Sequence, residues 1–259
     1  MNLRAVAEQA ARQAGAIIQA GAGNGLDIRH KGTIDLVTQI DLAAEEAIRS
    51  CLREHTPDIP ILAEEGGGPW DKDTRWIVDP LDGTTNFVHG YPSYAVSIGL
   101  EVEGKLEVGC IFDAVHGHAY TAERGAGAWC GEAKIHVSDC AKLESALLVT
   151  GFPYDRQTRV DEYLKYVREF LIRTHGLRRA GAAAMDFVAI ATGRVDGYWE
   201  FGLNPWDVAA GVLLVEEAGG RVTDMEGGKL NLMRPRLLAT NGLLHEEMGE
   251  ILSTLLSSS

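Results

Sequence analysis

Apolar positions at the start of the chain recur at helical spacing: Leu3, Val6, Ala7, Ala10, Ala14, Ile17 and Ile18, then Ala44, Ala47, Ile48, Cys51 and Leu52 after a cap at Asp41. Two helices therefore come first. The apolar run Ile59-Pro60-Ile61-Leu62-Ala63 follows, and then Arg75-Trp76-Ile77-Val78, which reads as a short buried strand whose ladder Pro80 stops. From Ser93 to about Ile135, β-rich runs broken at residues 102–105, 115–118 and 124–127 predict an antiparallel meander. Strands and helices then alternate. Residues 147–150, 195–200, 221–224 and 237–240 read as strands, and 160–171, 185–192, 207–218 and 245–256 as helices. No internal repeat or linker interrupts this order, so the chain reads as one unit, 1–259, with an N-terminal α+β half to about residue 140 and a C-terminal α/β half.

Chemistry concentrates where the strand ending at Asp79 turns into the next helix. Asp79-Pro80-Leu81-Asp82-Gly83-Thr84-Thr85 puts two carboxylates three residues apart, with Gly83 free to bring the backbone close to a ligand. The N–H groups of Gly83, Thr84 and Thr85 would point at an anion as the helix begins. Hard oxygen ligands suit Mg²⁺ better than zinc. Asp-Gly is equally an ordinary solvated turn. A second acidic point, Asp207, opens an apolar run that ends at Gly219-Gly220, where a plain N-cap is the commoner job. A third is Glu64-Glu65 before the glycine loop 66–68, by default surface charge.

The segments 76–92 (Trp-Ile-Val-Asp-Pro-Leu-Asp-Gly-Thr-Thr-Asn-Phe-Val-His-Gly-Tyr-Pro) and 206–220, in this order and spacing, resemble the two signatures of the inositol monophosphatase family of Mg²⁺-dependent, lithium-sensitive phosphatases, in particular its bacterial members. Weaker matches at Lys31, 35–41, 63–65 and 193–200 extend the resemblance over nearly the whole chain. It implies an α+β fold, the layered α-β-α-β-α sandwich of the inositol monophosphatase and sugar phosphatases. It also implies two to three Mg²⁺ ions per subunit. Glu64, Asp79 and the Leu81 carbonyl would hold the tightest, Asp79, Asp82 and Asp207 a second, and Glu64 would share a third, near Lys31. The catalytic set would be Asp41, Thr84 and Glu64, with Thr84, hydrogen-bonded to Asp41, orienting and deprotonating a metal-bound water for in-line attack on phosphorus. No covalent phosphoenzyme is implied. Asp82, Gly83, Thr84, Thr85, Gly181, Ala182, Ala183, Glu200 and Asp207 would contact the substrate.

Substrate choice is expected from Glu200 against polyol hydroxyls and from Gly181-Ala182-Ala183; Glu200 also reads as an exposed strand-end acid. Ala182 stands where relatives commonly carry Ser or Thr, which removes one hydrogen bond to an inositol. Residues 87–92 lean toward inositol phosphates over relatives that cleave phosphoadenosine phosphate. A fructose bisphosphatase or histidinol phosphatase on the same fold is the alternative within the enzyme class. A protein-binding role in transcription antitermination, through contact with a transcription complex, is the alternative outside it.

Composition narrows the field further. The 259 residues, 46% hydrophobic and 24% charged, describe an ordinary globular chain. The net charge of -13, from 24 basic and 37 acidic residues, argues against direct nucleic-acid binding, which would need a basic face. Cys51, Cys110, Cys130 and Cys140 show no metal-binding or redox spacing and read as buried thiols in a reducing cytosol. Charges at Arg4, Glu8 and Arg12 break the N-terminal stretch, so no signal peptide or membrane segment is expected, and a cytoplasmic homodimer is. His89, His116 and His118 read as surface residues, the five tryptophans as packing, with Trp206 anchoring its helix. Tyr154, Asp155, Arg156, Arg159, Arg178 and Arg179 fall where a pocket rim or a partner subunit would lie; solvated charge is their default.

Overall fold

The computed structural model describes residues 2–22, 28–30 and 36–257. Lys31, expected above near the third metal, and Asp35, in one of the weaker matches, lie outside the described residues. Helix α1 (Leu3–Gly21) is capped by Asn2, whose side chain accepts the Ala5 amide at 3.0 Å, and buries the apolar stripe Val6, Ala7, Ala10, Ala14 and Ile18. Helix α2 (Gln39–His55) packs along it. Because α2 begins at Gln39, Asp41 is not its cap but a first-turn residue turned inward. Before it, β1 (Ile28–His30) and β2 (Leu36–Thr38) form an antiparallel pair that the apolar pattern did not announce.

The meander is a seven-stranded sheet: β3 (Ile61–Ala63), β4 (Arg75–Asp82), β5 (Ala95–Val102), β6 (Lys105–Asp113), β7 (His118–Glu123), β8 (Gly127–Cys130) and β9 (Ala133–Lys134), in that spatial order, antiparallel except β3 with β4. A five-stranded mixed sheet is built from β10 (Leu147–Thr150), β11 (Gly176–Arg178), β12 (Gly197–Glu200), β13 (Arg221–Asp224) and β14 (Leu237–Thr240), ordered β11-β10-β12-β14-β13. The remaining helices are α3 (Thr84–His89), α4 (Arg156–Leu171), α5 (Ala183–Ala191), α6 (Pro205–Glu217) and α7 (His245–Ser257).

Alternation along the strands makes this a sandwich. Trp76 and Val78 face the core under α1 and α2, while Ile77 faces the opposite way, into the core around α5 and α6. In the second sheet Tyr198, Leu237 and Ala239 point into that same middle core, and Trp199 and Leu238 into a third one under α4 and α7. Both sheets are therefore buried on two faces, and the layers run α1/α2, seven-stranded sheet, α5/α6, five-stranded sheet, α4/α7. Close approach of α6 to the first sheet depends on two glycines: a Cβ at Gly99 would come within 2.8 Å of Ala209 Cβ, and one at Gly109 within 2.7 Å of the Ala210 carbonyl oxygen.

Pro80 and the cysteines also depart from expectation. Pro80 does not end the ladder: β4 continues to Asp82, with a register shift between the pairs Asp79–Ser97 and Asp82–Ala95, so the missing donor is absorbed in a bulge. All four cysteines are free, but only Cys51 and Cys110 are buried, while Cys130 and Cys140 are half-buried. No described helix is long and apolar enough to cross a membrane.

His245, the first residue of α7, is buried between two hydroxyls, with Nε2 2.9 Å from Thr223 Oγ1 and Nδ1 3.0 Å from Thr240 Oγ1. Burial, helped by Arg221, pushes its imidazole from 6.5 down to about 4. Below pH about 6.5 the unfolded chain takes up a proton that the native one refuses, so stability should fall between pH 6.5 and 4 and this contribution should level off below. Melting temperatures across that window are expected to slope less for His245→Gln than for the parent; an identical slope would show that His245 titrates freely.

Candidate active site

Irregularity at the end of β4 builds the centre of the site. After the bulge, Gly83 takes a left-handed φ of 87°, and a Cβ there would also crowd the Ser93 carbonyl at 2.9 Å, so only glycine carries the chain into α3. Asp79 Oδ1 accepts the Leu81 amide at 2.9 Å, and Asp82 Oδ2 accepts the Ala184 amide at 2.7 Å, tying the turn to the start of α5. Thr84 Oγ1 lies 3.0 Å from Asp41 Oδ1 and 3.0 Å from the Leu81 carbonyl, two acceptors for one hydroxyl proton. Asp41 sits behind Thr84, 1% exposed.

Other elements bring in the remaining acids. Glu64 follows β3, where its amide donates to the Val78 carbonyl at 3.1 Å and so keeps the parallel pairing one residue beyond the strand. Asp207 is the third residue of α6, and its Oδ2 accepts the Asn204 amide at 2.6 Å. It therefore closes the first turn from inside, and Asn204 holds the N-cap place. Glu200 ends β12. A cleft of about 170 Å³ is lined by Glu64, Asp79, Leu81, Asp82 and Asp207, by Gly83, Thr84 and Thr85, and by Gly181, Ala182, Ala183 and Glu200. Every site residue named from the sequence is thus on one cleft, apart from Asp41 just beneath it.

The buried acids of this cleft act on one another. Burial, then the charges of Glu64, Asp82 and Asp207, holds the Asp79 carboxyl well above its usual range. Burial pushes Asp82 up to about 7 although the Ala184 amide opposes it, and burial with Glu64 raises Asp207. Glu200 rises to about 7 through burial, against the Tyr198 hydroxyl and Arg179. Among the described residues no three His, Cys, Asp or Glu side chains are drawn together at ligand distance. Like charges in a low dielectric hold apart. A wall of aspartate and glutamate oxygens with a main-chain carbonyl at Leu81 is the donor set of a hard divalent cation, and cations between these groups would relieve their repulsion.

Several lining residues were not legible as such: Gly151, Phe152 and Pro153 after β10, and Gly202, Leu203 and Asn204 before α6. They are loop residues with no distinctive side-chain chemistry. Tyr154, Arg156 and Arg179 line the rim as anticipated. Asp155 and Arg159 do not; they pair with each other at 3.0 Å, and Arg159 also with Glu162 at 2.7 Å. None of His89, His116 and His118 lines the cleft, and His116 Nδ1 lies 2.7 Å from Asp113 Oδ2 in the β6–β7 turn.

A five-layer sandwich with an acidic cleft at the irregular end of a strand is the architecture of a class of phosphatases, and comparison with known proteins agrees. Residues 1–257 match the inositol monophosphatase family, and the chain belongs to it. The inositol-1-monophosphatase of Synechocystis sp. is 43% identical over 254 residues, 96% of this chain and 88% of that protein. The Nus factor SuhB of Vibrio cholerae is 42% identical over 240 residues, 91% of this chain and 90% of the relative. Among solved structures, the extragenic suppressor protein suhB of Bartonella henselae superposes with a TM-score of 0.92 at 39% identity, covering 97% of this chain and 98% of that one.

Proposed function

We propose that this protein is a Mg²⁺-dependent phosphomonoesterase that releases inorganic phosphate from inositol monophosphate or a similarly small polyol or sugar phosphate. One observation carries the reading: Glu64, Asp79, Asp82 and Asp207, far apart in sequence, line a single cleft beside a threonine hydroxyl backed by a buried aspartate. A more distant solved relative, an IMPase/NADP phosphatase 25% identical over 93% of this chain and 90% of its own, with a TM-score of 0.81, was crystallised with Mg²⁺ and phosphate. On this reading Glu64, Asp79 and the Leu81 carbonyl hold one ion, Asp79, Asp82 and Asp207 a second, and Glu64 shares a third. Bound there, Mg²⁺ acts as a Lewis acid toward the phosphoryl oxygens and makes a water molecule more acidic.

The chain's own groups do the rest. Thr84 Oγ1 sends its proton toward Asp41 and keeps lone pairs for a water, which it orients for in-line attack. The Thr84–Asp41 pair draws off that water's proton as the new P–O bond forms, the P–O bond to the polyol breaks on the opposite side, and the departing oxygen takes a proton from solvent. The amides of Gly83 and Thr84 hold phosphate oxygens, and Glu200 with Gly181, Ala182 and Ala183 takes the polyol. The active form is a homodimer in the cytoplasm.

The test is phosphate release from inositol 1-phosphate, fructose 1,6-bisphosphate and histidinol phosphate, with Mg²⁺ and with EDTA. Inositol 1-phosphate should turn over fastest, and chelation should lower its rate at least about a hundredfold, the scale of a lost metal or oxyanion contact. Equal or faster release from fructose 1,6-bisphosphate would overturn the substrate, and an EDTA-insensitive rate the metal.

A second reading rests on the name of the Vibrio cholerae relative, a Nus factor at 42% identity. It assigns the chain a contact with the transcription complex besides its chemistry. Co-purification with RNA polymerase or its elongation factors that survives Asp207→Asn is the result expected of such a contact; no association with either form would dismiss it.

A further inference from the structure

Glu200 is 8% exposed and is held from two directions by residues with no part in the chemistry described so far. The Tyr198 hydroxyl donates to Glu200 Oε2 at 2.6 Å. The two residues stand at i and i+2 on β12, so both side chains leave the same face of the strand. Tyr198 is fully buried, its ring edge-on to Phe187 at 5.2 Å and 89°. On the other side lies Gly151, just past β10, where an added Cβ would be 2.0 Å from Glu200 Oε1 and 2.2 Å from both Cδ and Oε2. Gly151 is outside the left-handed region, so its backbone does not call for glycine; the carboxylate packed against it does. Asp82 and Asp186 lie within electrostatic reach of Glu200 and repel it while Arg179 attracts it, so Tyr198 and Gly151 hold the carboxylate between opposing charges.

We propose that Tyr198 and Gly151 are positioning residues that set the plane of the Glu200 carboxylate and thereby the orientation of the polyol hydroxyls it binds. This rests on Glu200 being a polyol ligand. A carboxylate has about four acceptor sites, and Tyr198 occupies one while fixing rotation about the last torsion. The remaining lone pairs then meet the leaving group in one direction only. Discrimination among small polyol phosphates follows from that preorganisation, because a hydroxyl that misses the fixed acceptor leaves the remaining lone pairs of a buried carboxylate unsatisfied.

The experiment compares inositol 1-phosphate with phenyl phosphate, whose leaving group carries no further hydroxyls, in the Mg²⁺-loaded full-length protein. Tyr198→Phe should raise KM for inositol 1-phosphate about tenfold, the scale of one hydrogen bond to a charged group, with kcat within about twofold. Its kcat/KM for phenyl phosphate should stay within about twofold of the parent, which also reports that the variant is folded. Gly151→Ala should reproduce the KM rise independently, by displacing the carboxylate. In a Glu200→Gln background Tyr198→Phe should add little, since it acts through that side chain. If Glu200→Gln raises KM while Tyr198→Phe and Gly151→Ala do not, or if Tyr198→Phe weakens both substrates equally, the positioning role is overturned and the polyol role of Glu200 stands. If Glu200→Gln leaves KM for inositol 1-phosphate unchanged, the polyol role itself has failed and the positioning role falls with it.

Discussion

Asp82→Asn should lower phosphate release from inositol 1-phosphate by about two to three orders of magnitude at saturating Mg²⁺, the cost typical of losing one preorganised electrostatic contact at a reacting centre. The amide can still accept the Ala184 N–H that Asp82 Oδ2 accepts at 2.7 Å, so the turn into α5 keeps its tie. What disappears is one negative charge facing the cleft. Stability should move the other way. Asp82 is buried beside Glu64 and Glu200, all of one sign, and its carboxyl is pushed to about 7. Neutralising it relieves that repulsion, and without divalent ions the variant should melt a few degrees above the parent, a ΔΔG on the order of 1 kcal/mol in a chain of this size. Mg²⁺ should then raise the melting temperature less in the variant than in the parent. A variant that keeps a tenth of parental turnover, or melts lower when metal-free, would remove Asp82 from the metal site.

Thr84→Val should cost about a hundredfold or more in kcat with KM changed by no more than a few-fold, because the hydroxyl is assigned to the water and not to substrate binding. Valine nearly matches threonine in shape but cannot bridge Asp41 Oδ1 and the Leu81 carbonyl, each 3.0 Å from Thr84 Oγ1. Thr84→Ser restores a hydroxyl at the same place and should recover most of the rate. Asp41→Asn should resemble Thr84→Val, and the double variant should be little worse than either, since the two groups act as one relay. Stopped assays at saturating inositol 1-phosphate decide it: a Thr84→Val enzyme within twofold of the parent, or an additive double variant, would separate Thr84 from the water.

Much of the fold was legible because burial leaves a periodic trace. The stripes of α1 and α2, the turns of the meander and the strands Arg221–Asp224 and Leu237–Thr240 appear where spacing and turn residues put them. Elements without such a trace escaped. β1, β2 and β11 are three residues each, too short for alternation to register. The bulge at Pro80 escaped for another reason: a proline usually ends a ladder, and only pairing with β5 on both sides of it shows that this one does not. In the site, residues 79–85 were conspicuous because their chemistry is contiguous. Gly151 carried no signal, since its importance is the space it leaves for a side chain 49 residues away, at 200.

Local sequence alone determined where the carboxylates sit on their elements: Asp79 and Asp82 at a strand end that turns through Gly83, Asp207 in the first turn of a helix, Glu200 at the last residue of a strand. These follow from steric and hydrogen-bonding rules that act within a few residues. Tertiary structure decided that they share a cleft. The two sheets are apolar on both faces, and their inner faces are buried by stacking on α5 and α6, which carries the ends of β4 and β12 and the start of α6 to one place. Periodicity records that a face is apolar but not which partner covers it, so the convergence of like charges belongs to the packed molecule and not to any segment of it.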